Sequence, residues 1–404
     1  MSWNKVTTFH SFANRNFRWY WIGILFSFSA SQMQQLARGW LVYDMTHSSL
    51  ALGIVISLWG VPIIVFSLIG GAVADKVPKR NLILATETGA TLIYFILALL
   101  IWLNLIAIWH LMIASFFSGI IMAFNTPARQ SYMPELVSDK ELLNAVSLNS
   151  IAANLTRVAG PAVAGAIIAT VGVAEVYFIT AAMNALAVAT IAIVPVRGNP
   201  HNIGHKSLTA DVKEGLKYIK NSPVVTELII QFAIVTLFAM PYMYMLPVFA
   251  SEVLSVGARG LGWMTSLVGG GALVGILTIA SLGNVRRKGA IVISLAISFG
   301  LFLFLFSLSR NYFLSLALLA GVGIGNMCYN SLNNMLLLTQ TPPEMRGRVM
   351  SFMIMTFGLT PLGVLPIGAL AEVIGAPWAV GGGGLIVVLA TIALTAWRPA
   401  LRKL

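Results

Sequence analysis

Long apolar runs alternate with short polar connections along the whole chain. A membrane crossing needs about 20 apolar residues, and charges, Gly and Pro divide the sequence into twelve runs of about that length. We number these predicted spans 1 to 12 in chain order: 17–42, 50–74, 81–103, 108–127, 143–170, 175–195, 224–249, 259–281, 290–308, 312–337, 349–371 and 377–397. The pattern predicts an all-α integral membrane protein.

One long polar connection separates the first six spans from the last six. Residues 196–223 are rich in Pro, Gly, Asn, His and Lys, which marks a linker between a bundle at 1–195 and a bundle at 224–404. Within the linker, apolar residues recur at helical spacing opposite lysines. They predict a short amphipathic helix on the inner leaflet, carrying Leu208, Val212, Leu216 and Ile219.

The two sets of spans show an internal repeat. A shift of 203 residues pairs glycines of span 5 with glycines of span 11, among them Gly160 with Gly363 and Gly165 with Gly368. Span 11 is therefore the counterpart of span 5. Twelve spans in two pseudo-symmetric six-helix bundles are typical of transporters in which substrate binds near the midplane and the halves move around it.

Composition and charge agree with a membrane location. The chain is 58% hydrophobic and 9% charged, whereas soluble domains carry about 25% charged residues. The net charge of +12 comes from basic residues scattered between apolar runs, which argues against nucleic acid as a partner. If the N-terminus is cytoplasmic, 21 of the 25 Lys and Arg residues fall on the inner side, so both termini are expected in the cytoplasm.

Motifs for an enzyme or a metal protein are missing from the sequence. It contains no phosphate-binding Gly-x-x-x-x-Gly-Lys-(Ser/Thr) loop and no constellation of nucleophile, base and metal ligands. His201 and His205 have a helical spacing, but Gly204 lies between them and no third ligand is near. We expect no metal, no cofactor and no enzymatic activity.

Two arginines lie inside predicted spans. A charge at the centre of a membrane helix costs roughly 2.5–3.5 kcal/mol, and Arg157 is about a dozen residues from either end of span 5, so it should face protein or water. Arg38 follows Gln34 and Gln35 in the outer part of span 1, and either lines a cavity or snorkels outward. All four residues are candidate substrate contacts, and two deep arginines suit a carboxylate, phosphate or catecholate-like group.

Further candidate contacts are neutral. Asn326, Asn330 and Asn334 share one face of span 10 by their i, i+4 spacing. Tyr242 lies in a Met- and Tyr-rich part of span 7, a soft surface suited to variable ligands. Ordinary helix packing is the alternative for these residues.

Acidic residues inside spans are candidates for proton coupling. Of the 13 acids, Glu87 and Glu227 fall within spans, each about one turn from the cytoplasmic end. Glu87 could instead pair with loop cations, and Glu227 could interact with the first turn of span 7, where a negative charge is favoured.

The cytoplasmic connection between spans 2 and 3 combines an acid with basic residues. Its charges are Asp75, Lys76, Lys79 and Arg80. Basic residues in this loop are explained by the excess of Lys and Arg on the cytoplasmic side of membrane proteins. An acid is not explained in this way, and it can accept hydrogen bonds from free amides at a helix N-terminus. Span 11 opens with Arg346 and Arg348, so we predict a latch between the halves at this point.

Together with Gly71, these loop residues match the span 2–3 signature of the major facilitator superfamily, Gly-x-x-x-Asp-(Arg/Lys)-x-Gly-(Arg/Lys)-(Arg/Lys), with Pro78 at the second glycine. Pro127-Ala128-Arg129 and Pro343-Glu344-x-Arg346-Gly347-Arg348 resemble the bacterial exporter branch that includes enterobactin-type siderophore exporters and macrolide efflux pumps.

Span 5 adds a second resemblance. Gly160-Pro161 followed by Gly165 is similar to the motif that marks antiporters of this superfamily. Span 8 offers a small-residue surface at Gly269, Gly271 and Gly275, and we predict that spans 5 and 8 cross between the halves. Ordinary small-residue packing is the alternative.

The resemblance implies a monomeric transporter of the bacterial inner membrane. We expect it to export small amphiphilic or anionic molecules, drug-like or siderophore-like, by alternating access in exchange for protons. A lipid or lysolipid flippase or facilitator is the alternative within transport, and a receptor or accessory subunit that does not transport is the alternative from another class.

Overall fold

The computed structural model describes residues 10–198, 208–281, 287–397 and 401–403, and every regular element within these ranges is helical. The histidines at 201 and 205 lie outside the described residues, as do the basic residues at 5, 206, 286 and 398, which contributed to the predicted topology.

Six long helices form the first half of the chain. They are α1 (Arg15–Thr46), α2 (Ser49–Lys76), α3 (Lys79–Trp102), α4 (Ile108–Tyr132), α5 (Asp139–Thr170) and α6 (Val173–Ile193). Nine α-helices are described in the second half: α7 (Leu208–Asn221), α8 (Pro223–Ile234), α9 (Tyr242–Val248), α10 (Gly257–Ser281), α11 (Lys288–Leu308), α12 (Tyr312–Thr339), α13 (Pro343–Phe357), α14 (Thr360–Ile374) and α15 (Ala376–Trp397).

The predicted spans correspond to these helices. Among the described residues, eleven helical stretches are long and apolar enough to cross a membrane. The remaining span is α1, whose 32 residues reach about 48 Å at 1.5 Å per residue, well beyond the hydrocarbon thickness. Its mean hydropathy is lowered by Arg18, Arg38 and a group of glutamines.

Spans 7 and 11 were predicted as continuous helices, and both are interrupted. In span 7, α8 passes into a π-helical turn, in which the Met240 amide donates to the Val235 carbonyl at 3.1 Å, and α9 restarts after Pro241. Span 11 breaks between α13 and α14, just before Pro361. Proline supplies no amide hydrogen and its ring crowds the preceding turn, so each break coincides with a residue that weakens the helical hydrogen bonding.

Helix α4 is longer than predicted. Span 4 was expected to end at residue 127, but the helix continues through Pro127 to Tyr132. Pro is tolerated inside membrane helices when neighbouring groups satisfy the freed carbonyl. Arg129, expected in a cytoplasmic segment, therefore lies within a helix.

The helices group into two compact units. The first comprises Met1–Leu41 and Val61–Ile203, and the second Val42–Gly60 and Gly204–Leu404. The core of the first unit includes Phe17, Ile83 and an edge-to-face pair of Tyr20 and Tyr132, with ring centroids 5.4 Å apart.

The second unit includes the connection between α1 and α2. The Ser57 hydroxyl donates to the Pro361 carbonyl at 2.9 Å. One oxygen of Glu372 on α14 accepts hydrogen bonds from the Ser48 hydroxyl at 3.1 Å and the Leu50 amide at 3.2 Å. A carboxylate at the start of α2 satisfies a free backbone donor and interacts favourably with the helix dipole.

A helix is present where the linker was predicted to carry one. In α7, Ile219 is buried, Gly215 packs near Phe352 of α13, and Glu214 pairs with Arg348 at 3.0 Å. The side chains of residues 208–213 lie outside the described set. The position of α7 on the inner leaflet stays a prediction.

Glycines allow neighbouring helices to pack closely. In the first unit, a Cβ atom on Gly70 of α2 would lie 2.2 Å from the Ala123 carbonyl oxygen of α4. In the second unit, a Cβ on Gly271 or Gly275 of α10 would lie 2.2 or 2.9 Å from a carbonyl oxygen of α12. The small-residue surface of span 8 thus packs on α12, and the predicted crossing of spans 5 and 8 stays a prediction.

Adjacent glycines provide a matched test of this packing. Gly70→Ala forces a methyl group against backbone, so we expect a loss of about 1–3 kcal/mol of stability. Gly71→Ala adds the same methyl where no described atom lies within 4 Å, so its thermal unfolding in detergent should match the parent. Equal unfolding of the two variants would contradict the close approach of α2 and α4.

Candidate functional site

Two exposed faces of α5 differ in chemistry. One is apolar and carries Ile151 and Leu155, which are 51% and 55% exposed. The other is polar and at least partly exposed, and we call it the α5 polar face: Ser147, Ser150, Asn154 and Arg157. Because successive helical residues are rotated by about 100°, Arg157 points away from Leu155. The arginine is therefore turned away from Ile151 and Leu155, while exposed Leu143 and Val146 share its side of the helix nearer the start of α5.

The Gly-Pro motif lies one turn beyond Arg157 and packs within the first unit. A Cβ on Gly160 would lie 2.9 Å from the Cβ of Gln32 on α1. Pro161 and Gly165 are buried as well. The motif thus allows α1 to approach α5 beside the polar face. Gln35, a predicted contact, is half-buried one turn further along α1.

Arg38 and Gln34 occupy a different place. Arg38 is 4% exposed and Gln34 is 7% exposed, so both are buried in the first unit. Arg38 lies within electrostatic range of Tyr94 on α3 and Tyr177 on α6. The snorkelling alternative for Arg38 is wrong, because its side chain is held between helices.

Glu87 of α3 is the centre of a buried polar network. One carboxylate oxygen accepts hydrogen bonds from Asn125 Nδ2 at 2.9 Å and from Arg129 Nη2 at 2.5 Å, both on α4. The other accepts from the Ser27 hydroxyl of α1 at 3.0 Å. The network therefore joins three helices around an ion pair, in which Glu87 pairs with a cation that the sequence pattern had placed in a loop.

Arg129 is a functional candidate that sequence reasoning missed. Its Nη2 atom also lies 2.6 Å from the Ser27 hydroxyl, and its guanidinium lies 5.4 Å from the centre of the Phe28 ring. Treating Pro127 as a helix end placed Arg129 in a loop. The signal that could have found it is its i, i+4 spacing from Asn125, which places both on one helix face if α4 continues.

Glu227 of α8 has a different environment. It is 1% exposed, and its Oε2 atom accepts a hydrogen bond from the Leu401 amide at 2.9 Å. Leu401 begins a short 3₁₀ helix, Leu401–Lys403. Glu227 thus holds the C-terminal segment against the second unit.

The predicted latch cations contact groups in their own units. Buried Lys79 pairs with Glu135 at 2.5 Å, and Arg80 donates to carbonyls at the end of α6, those of Ile191 and Ala192. Arg346 donates to the Leu338 carbonyl at the end of α12 at 3.0 Å. Lys76 is exposed and Asp75 is half-buried. The contact between Asp75 and the start of span 11 stays a prediction.

The asparagines of α12 form a half-buried row in the second unit. Asn330 Nδ2 donates to the Asn326 backbone carbonyl at 2.8 Å, and Asn326 Nδ2 lies 3.5 Å from Met240 Sδ. Asn334 is half-buried one turn further on. Tyr242 is buried, with its ring centroid 6.4 Å from that of Phe299 on α11, so it packs in the core of the unit.

Comparison with known proteins identifies the family. Residues 6–403 match the model of the transmembrane secretion effector family of the major facilitator superfamily. The chain belongs to this family. The family is one of transporters, so the protein is a secondary transporter and not an enzyme.

Curated relatives include exporters. The transporter is 28% identical over 312 residues to the enterobactin exporter EntS of Shigella boydii serotype 18, covering 76% of this chain and 73% of the relative. The enterobactin exporter of Escherichia coli O139:H28 matches with the same identity and coverage. The resemblance to enterobactin-type exporters is confirmed at this distance.

Solved structures confirm the fold. The nucleoside transporter NupG superposes with a TM-score of 0.73 at 16% identity, covering 96% of this chain and 99% of NupG. A bacterial homologue of the iron transporter ferroportin in the inward-facing state gives a TM-score of 0.71 at 16% identity, covering 95% and 98%. The transporter is a multi-pass membrane protein with the major facilitator fold.

A double-mutant cycle tests the Glu87–Arg129 pair. Glu87→Leu or Arg129→Met alone leaves one buried charge uncompensated, which typically costs about 3–5 kcal/mol. We expect the double variant to be more stable than either single variant, as measured by unfolding in detergent. If the stability losses of the two single variants sum to the loss of the double variant within about 0.5 kcal/mol, the two side chains do not interact.

Proposed function

We propose that this transporter exports small amphiphilic molecules that carry an anionic group. The molecules leave through the bacterial inner membrane by alternating access, in exchange for protons. The observation that carries the proposal is the position of Arg157, an exposed cation on the α5 polar face, turned away from the apolar exposed face of the same helix. The name of the relatives, enterobactin exporter, supports the export direction.

The chemistry of the α5 polar face favours an anion. An exposed guanidinium inside a membrane span requires water or a polar partner. Its planar donors match carboxylate or phosphate oxygens two at a time, and those bonds are stronger than neutral ones. The neighbouring hydroxyls of Ser147 and Ser150 already donate to backbone carbonyls one turn earlier. Arg157 is thus the dominant donor on this face.

The other predicted residues take supporting parts in the proposal. Gln35 contacts the substrate from α1, and the buried residues Gln34 and Arg38 position that helix. In the second unit, half-buried Asn326, Asn330 and Asn334 are the proposed polar contacts, and Tyr242, which is buried, has a packing role. The loop carrying Gly71 and Asp75 is the proposed cytoplasmic latch.

The proposed setting follows from charge and domain organisation. The basic residues place both termini in the cytoplasm. The bundles at 1–195 and 224–404 move relative to each other, joined by the linker at 196–223. The working unit is a monomer. A lysolipid flippase is the second candidate, since a guanidinium that binds a soluble anion also suits a lipid with an anionic headgroup.

Transport into inverted membrane vesicles tests the proposal. We expect vesicles with an acidic lumen to accumulate enterobactin or fluorescein, both anionic, in preference to the cation ethidium. The accumulation should collapse when an uncoupler is added. Accumulation that ignores the uncoupler contradicts proton exchange. Movement of a fluorescent lysolipid in place of the soluble anions favours the flippase.

Substitution of Arg157 tests the site itself. We expect Arg157→Ala to lower accumulation of the anion roughly tenfold to hundredfold, because a hydrogen bond to a charged group is worth about 1.5–3 kcal/mol. Arg259→Ala, at an exposed position near the start of α10, is the matched loss of a cation and should leave transport unchanged. Equal transport by both variants and the parent removes Arg157 from the substrate site.

A further inference from the structure

We infer that Glu87 is the group that carries the exchanged proton, and that α1 couples its protonation to anion binding at Arg157. The inference rests on the proposed proton exchange. It deepens that proposal by assigning the coupling residue and the element that links it to substrate.

The surroundings of Glu87 suit a group that changes its charge. Glu87 accepts from three side chains on two neighbouring helices, Ser27, Asn125 and Arg129. These side chains can reorient when the carboxylate takes up a proton. Glu227, the other candidate acid, accepts the backbone amide of Leu401 and so holds a chain segment in place.

Glu87 keeps hydrogen-bond partners in both charge states, but its protonation leaves the Arg129 cation without its counter-charge. The ionised carboxylate accepts all three hydrogen bonds and neutralises Arg129. A proton that binds the oxygen facing Ser27 turns Glu87 into a donor, and the Ser27 hydroxyl can rotate and accept, because a hydroxyl both donates and accepts. Arg129 then retains the Ser27 oxygen at 2.6 Å and the ring of Phe28 as neighbours.

The charged and titratable groups around Glu87 come from four helices. Arg129 is on α4 and Tyr20 is on α1. Tyr94 is on Glu87's own helix, and beyond it lie Tyr177 of α6 and Arg38 of α1. Among these named groups Glu87 is the carboxylate, and the others are phenols and guanidinium groups.

Electrostatics alone would couple the proton and the anion in the wrong direction. A negative substrate near Glu87 favours protonation, so the two would be carried together instead of exchanged. Exchange therefore requires a conformational link in which one bound state disfavours the other. That link must contact both the Glu87 network and the α5 polar face.

Helix α1 makes both contacts. Ser27 binds Glu87, and five residues later, about 7.5 Å along the helix, Gln32 packs on Gly160 of α5, one turn from Arg157. Proton uptake changes the Ser27 hydrogen bond and shifts α1, and the shift reaches α5 where it packs on Gln32. Anion binding at Arg157 shifts α5 and α1 through the same contact and thereby disfavours protonation of Glu87. Coupling between two sites must act equally in both directions.

Glu87→Gln tests the assignment, because the amide has the same shape and cannot ionise. Purified protein in weakly buffered detergent is mixed with enterobactin or fluorescein, whichever the parent accumulates in vesicles, and the released protons are measured. We expect the parent to release protons and Glu87→Gln to release at least tenfold fewer. The variant should still exchange labelled for unlabelled anion across proteoliposomes, and Glu227→Gln should behave as the parent.

Each outcome has a separate meaning. A parent that transports the anion without releasing protons contradicts the proposed exchange itself. A parent and a Glu87→Gln variant that release protons alike overturn the assignment of Glu87. If the single variant does not fold, Glu87→Gln with Arg129→Gln removes the unpaired cation. We expect this double variant to exchange the anion without releasing protons. A folded double variant that neither exchanges the anion nor releases protons would show that the pair is purely structural.

Discussion

The cost of a charge in hydrocarbon governs where this chain places its polar residues. Buried Glu87 and half-buried Arg129 are partners in the first unit, with Ser27 and Asn125 supplying further hydrogen bonds. Buried Lys79 likewise forms an ion pair with Glu135. Arg157 differs from these residues because it is exposed, on the α5 polar face. Charge compensation and exposure to water are the two ways to lower the same cost, and they separate structural charges from a candidate binding group.

Close helix packing provides the second constraint. Lipid supplies no hydrophobic force between helices, so membrane bundles depend on van der Waals contact and small residues. Gly70, Gly160 and Gly271 each lie where a Cβ atom would come within 3.0 Å of a neighbouring helix. At Gly160 the neighbour is α1, which also carries Ser27. Helix α1 thus contacts the Glu87 network through Ser27 and packs on α5 through Gln32.

Hydropathy predicted the spans well, because apolar length is a property of each segment alone. It did not predict the breaks at Pro241 and Pro361, nor the continuation of α4 through Pro127. Those outcomes differ because a proline in a membrane helix is tolerated or disruptive according to its neighbours, which one segment does not reveal. The same limit explains Arg129, whose partner Glu87 belongs to another helix.

The charged residues of the predicted cytoplasmic loops illustrate the limit of motif reasoning. Lys79 and Arg80 match the superfamily signature, yet their contacts are with Glu135 and with the end of α6. A cation is stabilised at a helix C-terminus, and such a terminus becomes available only after folding. Arg157, by contrast, could be singled out from the sequence because of its depth in span 5, and its role in binding substrate stays a prediction.

Water access to Arg157 is measured most directly by cysteine labelling. The chain contains one cysteine, Cys328, so Cys328→Ser gives a background without reactive thiols. Into this background Arg157→Cys and Leu155→Cys are introduced separately and exposed to a charged methanethiosulfonate reagent. We predict that the cysteine at 157 reacts and is protected by the transported anion, while the cysteine at 155 remains unmodified. A cysteine at 157 that is as unreactive as the one at 155 would contradict a water-filled substrate path along α5.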